Sequence, residues 1–293
     1  MSPRRRPKKR ITEGLRQGAV ADTSAQTHGP TRRFKGSRRT NIALAAAAVL
    51  AVSLALLSSI FVLSSLGGRS GPPPENKAVA IIDQLVLTFP DPAFIERATN
   101  LLEEAGYRVD HYSGEQVTVD FYQELPTYGY DLIILRVHAA RRPDVLQDKL
   151  PDEAALFTAE EYSPDRHVSE QEALRLVKVS QSAGDPNVYF GLRSDFIAYS
   201  MKGSFDGATI VLMGCDGLRT SRTAEAFVHK GAKVVVGWDG LVSASQTDAA
   251  TERLLQHLVV DGLSVEEAVQ RTGKEVGPDP GFSSSLRLYL PPG

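Results

Sequence analysis

Cys215 is the single cysteine of a 293-residue chain, and it stands at the end of an apolar run, residues 209–217 (TIVLMGCDG). A second apolar run, residues 132–137, stops as abruptly at His138. A thiol attacks a carbonyl carbon when a base within hydrogen-bond reach removes its proton, and histidine is the side chain suited to that near neutral pH. Taken singly, each residue has a plainer reading. A free cysteine behaves as a small hydrophobe, and a histidine after a strand is more often structural. Their shared placement carries the stronger inference. Each ends its own buried strand, and in open α/β sheets the carboxyl edge is where ligands and reacting groups gather. Gly214 and Gly217 flank the cysteine and permit a tight turn with close approach of a substrate. A helix expected from residue 223 would place its N-terminal dipole near Cys215 and favour thiolate.

The elements that must position these residues follow an α/β rhythm from residue 78 onward. Short strands are expected at 78–82, 107–111, 131–137, 209–213 and 233–236, since each is an apolar run bounded by turn residues. Asp91 and Pro92 open a helix that Gly106 ends. Further helices are expected at 119–125, 223–230, 249–260 and 265–271, the last from the capping box at Ser264–Glu267. Residues 286–290 alternate like an edge strand before Pro291. Residues 139–187 interrupt the rhythm and read as an insertion beside His138, a candidate lid or pocket wall. Two capping-box signals, Thr158 to Glu161 and Ser169 to Glu172, predict two helices there. A short strand at 188–190 and a short helix at 194–201 lead back to the cysteine strand. About six strands in one domain of 78–293, mostly parallel with helices on both faces, is the expected architecture.

The N-terminal quarter differs in kind. Residues 1–40 hold twelve Lys and Arg against Glu13 and Asp22, and the rest of the chain is correspondingly acidic. With almost no apolar pattern, 1–40 reads as a disordered basic segment. A nucleic-acid patch is its alternative, but no nucleic-acid partner is expected because a membrane segment follows at once. Residues 42–66 carry no charge and exceed the ~20 residues needed to cross a bilayer. Within 41–66 we therefore expect one transmembrane helix contacting the lipid bilayer. The basic flank places 1–40 in the cytoplasm and the C-terminal domain outside the cell membrane. A cleaved signal peptide is the rival, disfavoured by the length of the apolar stretch and the lack of an A-x-A-like site. Residues 67–77 (GGRSGPPPENK) form a Gly/Pro linker.

These runs resemble the caspase-like (clan CD) cysteine peptidases, in particular their CHAT and gingipain-like branch. LIILRVHA (132–139) is similar to the family's strand ending in the active histidine, and TIVLMGCDG to the strand ending in the nucleophile. The stretch 223–242 (TAEAFVHKGAKVVVGWDGLV) and then 261–272 (DGLSVEEAVQRT) resemble the family layout further. The resemblance implies a three-layer caspase-like sandwich over 78–293 and a membrane-anchored endopeptidase acting on a peptide or protein substrate. Cys215 would be the nucleophile and His138 the general base or acid. The backbone N–H groups of Ala139 and Cys215 would form the oxyanion hole. The chain departs from the pattern at Ala139, where glycine is usual, and at Met213 and Gly214, where some members place an aspartate for basic side chains. Asp216 or Asp239 could take that role, with a solvated loop aspartate as the plainer reading of each. Trp238 could wall a pocket or simply pack.

Two other classes compete. One is a caspase-like scaffold that binds a partner outside the membrane without turnover, favoured by Ala139 and by the oxidation risk to an exposed thiol. The other is an α/β-hydrolase using cysteine, which needs G-x-C-x-G where position 213 is Met. One cysteine excludes an internal disulfide and a cysteine-rich zinc site. No phosphate-binding glycine motif occurs, so no cofactor is expected, and no metal. His111, His167, His229 and His257 lack ligand spacing and read as surface or helix-face residues.

Overall fold

The computed structural model describes residues 77–141, 152–181 and 186–291. The basic segment 1–40, the membrane span expected in 41–66 and nearly all of the linker lie outside them. No helix among the described residues is long and apolar enough to cross a membrane.

The core is a six-stranded sheet. Its strands are β1 (Ala78–Asp83), β2 (Arg108–Ser113), β3 (Leu132–Arg136), β8 (Thr209–Leu212), β9 (Val234–Trp238) and β10 (Leu286–Tyr289), in the order β10-β9-β8-β3-β1-β2. All neighbours pair in parallel except β10, which runs antiparallel to β9 at the edge. The four inner strands are buried on both faces, hence their continuous Val, Ile and Leu runs. Alternate side chains supply two cores. Ala80, Ile82, Ile133, Leu135, Ile210 and Leu212 face one way, against helices α2 (Val119–Glu124), α4 (Ser194–Tyr199) and α5 (Arg222–His229). Val79, Ile81, Leu132, Ile134 and Val211 face the other, against α1 (Pro92–Glu104), α6 (Ala244–Leu255) and α7 (Val265–Val276). Helices thus cover both faces of a mostly parallel sheet.

The capping signals behaved as expected where packing agreed with them. Asp91 Oδ1 accepts from Phe94 N–H ahead of Pro92, and Ser264 and Glu267 form a reciprocal box. Helix α6 starts at Ala244, five residues before the expected start, and runs into a π-helical turn at Gln256–Val260.

The region 139–187 is where the expectation fails. The helix expected from Thr158 is instead strand β5 (Ala154–Glu161). It belongs to a second, antiparallel sheet of order β4-β5-β7-β6, with β4 (Ala139–Arg141), β6 (Leu176–Val179) and β7 (Tyr189–Leu192). The residues that mimic a capping box are used otherwise. Thr158 is fully buried and its hydroxyl donates to Phe190 O at 2.8 Å. Glu160 accepts from Val119 N–H at 3.0 Å, serving the N-terminus of α2. The second expected helix survives as α3 (Val168–Glu172), five residues long, with His167 rather than Ser169 before it. The buried faces of both sheets, not local spacing, decided the outcome.

Candidate functional site

Strands β3 and β8 are adjacent and in register, with Leu132 opposite Thr209 and Leu135 opposite Leu212. The ladder continues past the strand ends, where Met213 N–H donates to Leu135 O at 3.0 Å. Beyond it the chain bends at Gly214 and turns from Cys215, so the strand pairing ends before His138 and Cys215, which follow the carboxyl ends of two neighbouring strands. Gly214 is the contact point between the two ends. A Cβ added there would lie 2.6 Å from Val137 O, 2.8 Å from Ala139 Cβ and 3.0 Å from Ala139 N, so only glycine fits.

From His138 the chain turns directly into β4. Phe157 N–H donates to His138 O at 2.9 Å, and Ala139 is opposite Leu156. Ladder bonds alternate along an antiparallel pair, so the 138–157 bond leaves the Ala139 N–H facing away from β5. It faces the Gly214 turn instead. Ala139 therefore presents a main-chain donor beside Gly214 without glycine's freedom.

The two reactive side chains are each engaged elsewhere. His138 Nε2 is 2.8 Å from Thr88 Oγ1, its N–H donates to Gln84 Oε1 at 2.9 Å, and its ring lies between those of Phe89 and Phe157, 5.8 and 5.6 Å away. The Cys215 thiol donates to Val242 O at 3.5 Å, while Val242 N–H reaches Sγ at 3.4 Å. Burial pushes the His138 imidazole below its ordinary value, with the Arg136 charge adding to the effect. Burial pushes the Cys215 thiol up, with Asp216 and Asp279 adding to it against the Val242 N–H. Both directions favour a neutral thiol and a neutral imidazole. The expected help from a helix dipole is absent, because residues 216–221 are turns and α5 begins only at Arg222.

Of the remaining expected site residues, Asp216, Trp238 and Asp239 gather at the ends of β8 and β9. Asp216 is 6% exposed in a left-handed conformation (φ 57°), tied by its N–H to Gly240 O at 2.8 Å. Its Oδ1 accepts no hydrogen bond among the described residues and has Arg219 Nη1 at 3.7 Å. Burial pushes this carboxyl up, against Arg219 and Arg141. Trp238 is 1% exposed and donates through Nε1 to Thr247 Oγ1 at 2.9 Å, so the indole packs under the Cys215 turn with Val242 and Ala250. Asp239 accepts from Ser285 N–H and Arg287 Nε, both at 2.7 Å, which fastens β10. A cavity of about 310 Å³ opens there, lined in part by Arg219, Gly240, Leu241, Phe282 and Ser284.

A charged cluster beneath the site went unread in the sequence. Arg136, wholly buried, donates to Asp83 Oδ1 at 2.7 Å, to both oxygens of Asp248 at 2.8 Å and to Phe89 O at 2.8 Å. Burial opposes its charge, but the bonds to Asp248 and Asp83 hold it protonated. The signal was a charge in the last place of two apolar strands, AVAIID and LIILR. Gln84 and Thr88 gave no comparable signal. His257, expected at the surface, is buried, with its ring nitrogens 2.7 Å from Asp261 and 3.2 Å from Glu275. No group of three His, Cys, Asp or Glu side chains among the described residues is placed to hold a metal ion.

No protein-family model matches the chain, and no curated protein matches it.

Proposed function

We propose that residues 78–293 form a caspase-like cysteine endopeptidase working through a His138–Cys215 dyad. The observation that supports this reading is the parallel pairing of the neighbouring strands β3 and β8, whose carboxyl ends lead into His138 and into the Cys215 turn at one edge of the sheet. The mostly parallel sheet with helices on both faces is the α/β sandwich expected of residues 78–293.

In this mechanism the neutral imidazole accepts the thiol proton as the sulfur forms its bond to the peptide carbonyl carbon. The carbonyl π electrons move onto oxygen, where the N–H groups of Ala139 and Cys215 receive the charge. The imidazolium then returns the proton to the leaving amine as the C–N bond breaks. Water hydrolyses the acyl-enzyme by the same steps in reverse order of partners. Phe89 beside the ring, with Leu241 and Phe282 along the cavity, offers apolar contact area to a bound peptide.

An acyloxymethyl ketone probe tests the dyad. Cys215→Ala and His138→Ala are each expected to abolish labelling, and labelling that persists in either variant rejects the assignment. The rate should rise with pH only through the lowered pKa of the His138 imidazole and be level by neutrality, because the neutral ring is the base that takes the proton of the neutral thiol. A second reading, a binding scaffold without turnover, is favoured by one observation: Sγ is held by Val242 and Nε2 by Thr88. A wild-type chain that no probe labels under reducing conditions selects it.

We further propose that residues 42–66 anchor the chain as a single membrane span with the domain outside. In right-side-out vesicles, added protease should degrade the domain and spare 1–40. Protection of the domain rejects this orientation.

A further inference from the structure

We propose that residues 240–243 form an autoinhibitory strap, latched by Asp279, that holds the Cys215 thiol at rest until it is drawn aside. That the freed thiol then attacks a peptide rests on the peptidase reading, whereas the hold of the strap on Sγ does not.

Residues 239–243 join β9 to α6 without regular structure of their own. They cross the Cys215 turn and bind it at two points. Asp216 N–H donates to Gly240 O at 2.8 Å. Val242 meets the sulfur with both of its main-chain groups, its N–H donating to Sγ at 3.4 Å and its O accepting from Sγ at 3.5 Å. Among the described residues Sγ makes no hydrogen bond to His138. The Val242 side chain is buried beside Trp238, so the contact is packed as well as bonded.

The strap is held from behind by the loop 277–285. Asp279, 1% exposed, accepts from Ser243 N–H and from the Ser243 hydroxyl on Oδ2, both at 2.8 Å. Its Oδ1 accepts from Gly281 N–H at 2.8 Å and Phe282 N–H at 2.9 Å, which curls the loop around the carboxylate. The Ser284 hydroxyl adds a bond to Leu241 O. Burial opposes the Asp279 charge, but those donors outweigh it and hold the carboxyl below its ordinary value, so the latch is closed at neutral pH. Leu241 on the strap and Phe282 on the loop are both exposed, so the two pieces can part without unpacking the sheet.

Cys215 is the only cysteine of the chain, so its alkylation by iodoacetamide in the folded full-length protein, followed by mass, reads the strap directly. The wild type should react far more slowly than the chain unfolded in urea. Ser243→Ala combined with Ser284→Ala removes two bonds to the strap and leaves every charge near the thiol in place. The pair should speed alkylation by about tenfold, the scale of hydrogen bonds lost from a local opening equilibrium. Where the pair does not fold, Ser284→Ala alone should give about threefold. The rate should stay nearly flat in low urea, because local opening exposes little surface. A wild type as reactive as the unfolded chain, variants that react no faster, or a rate climbing steeply in low urea each overturns the strap. An acyloxymethyl ketone should also label the variants faster than the wild type. Faster alkylation with slower ketone labelling would make the strap part of the reactive geometry and overturn autoinhibition. If no ketone labels any chain while alkylation still rises, the peptidase reading falls and the strap stands.

Discussion

Arg136→Leu is expected to destabilise the domain by about 3–5 kcal/mol, the scale of a buried ion pair broken from one side. The guanidinium is the common partner of Asp83 and Asp248, and both carboxylates are buried with it. Removing it leaves two like charges in a low-dielectric interior with no cation between them, so one or both must take up a proton or draw in water. The loss should appear as a lower denaturant midpoint with little change in slope. Adding Asp83→Asn and Asp248→Asn to Arg136→Leu should recover part of it, because neutral amides carry a smaller desolvation cost than unpaired carboxylates. A single variant as stable as the wild type would mean the cluster adds nothing, and a triple variant less stable than the single would refute the charge argument. Since Arg136 also holds Phe89 O, the single variant should loosen the turn that grips His138.

Gly214→Ala should slow probe labelling by about 10²-fold while costing stability only about 1–3 kcal/mol. The atoms an added methyl would meet are main-chain atoms of Val137 and Ala139 and the Ala139 methyl, none of which can swing aside. Relief requires the ends of β3 and β8 to part. An overpacked contact of this kind costs ~1–3 kcal/mol, but a displacement near 1 Å between reacting groups can cost ~10²-fold in rate. A labelling rate within threefold of wild type would show that the strand ends do not set the geometry of the dyad. The two variants thus separate stability from alignment, since Arg136→Leu acts mainly on the first and Gly214→Ala on the second.

The central sheet was legible because its four inner strands are apolar on both faces, a pattern few other structures produce. The runs 78–82, 132–137 and 209–213 each announced a strand, and their abrupt ends placed His138 and Cys215 at one edge. The second sheet was not legible. Thr158 and Glu161 have the spacing of a helix cap, and only the contacts of Thr158 with Phe190 and of Glu160 with Val119 make that stretch a strand. Contacts between residues 32 and 41 apart leave no local trace. The grip on His138 was hidden for the same reason, because Thr88 lies 50 residues before it in a stretch with no pattern of its own. The cysteine's surroundings reversed one expectation. A glycine-rich turn before a helix suggested an activated thiolate, whereas the helix starts too late and burial works the other way.

Only Val137 and His138 separate β3 from β4, so the histidine sits at a joint between two sheets with no slack. Side chains alternate from face to face along extended chain, and that makes the joint a counter of parity. One residue added or removed between Arg136 and Ala139 would leave both sheets intact and present the imidazole to the wrong side of the cleft. Two residues would restore the facing but shift the imidazole along the sheet edge. Length variation that a surface loop would absorb is therefore forbidden at this point of the chain.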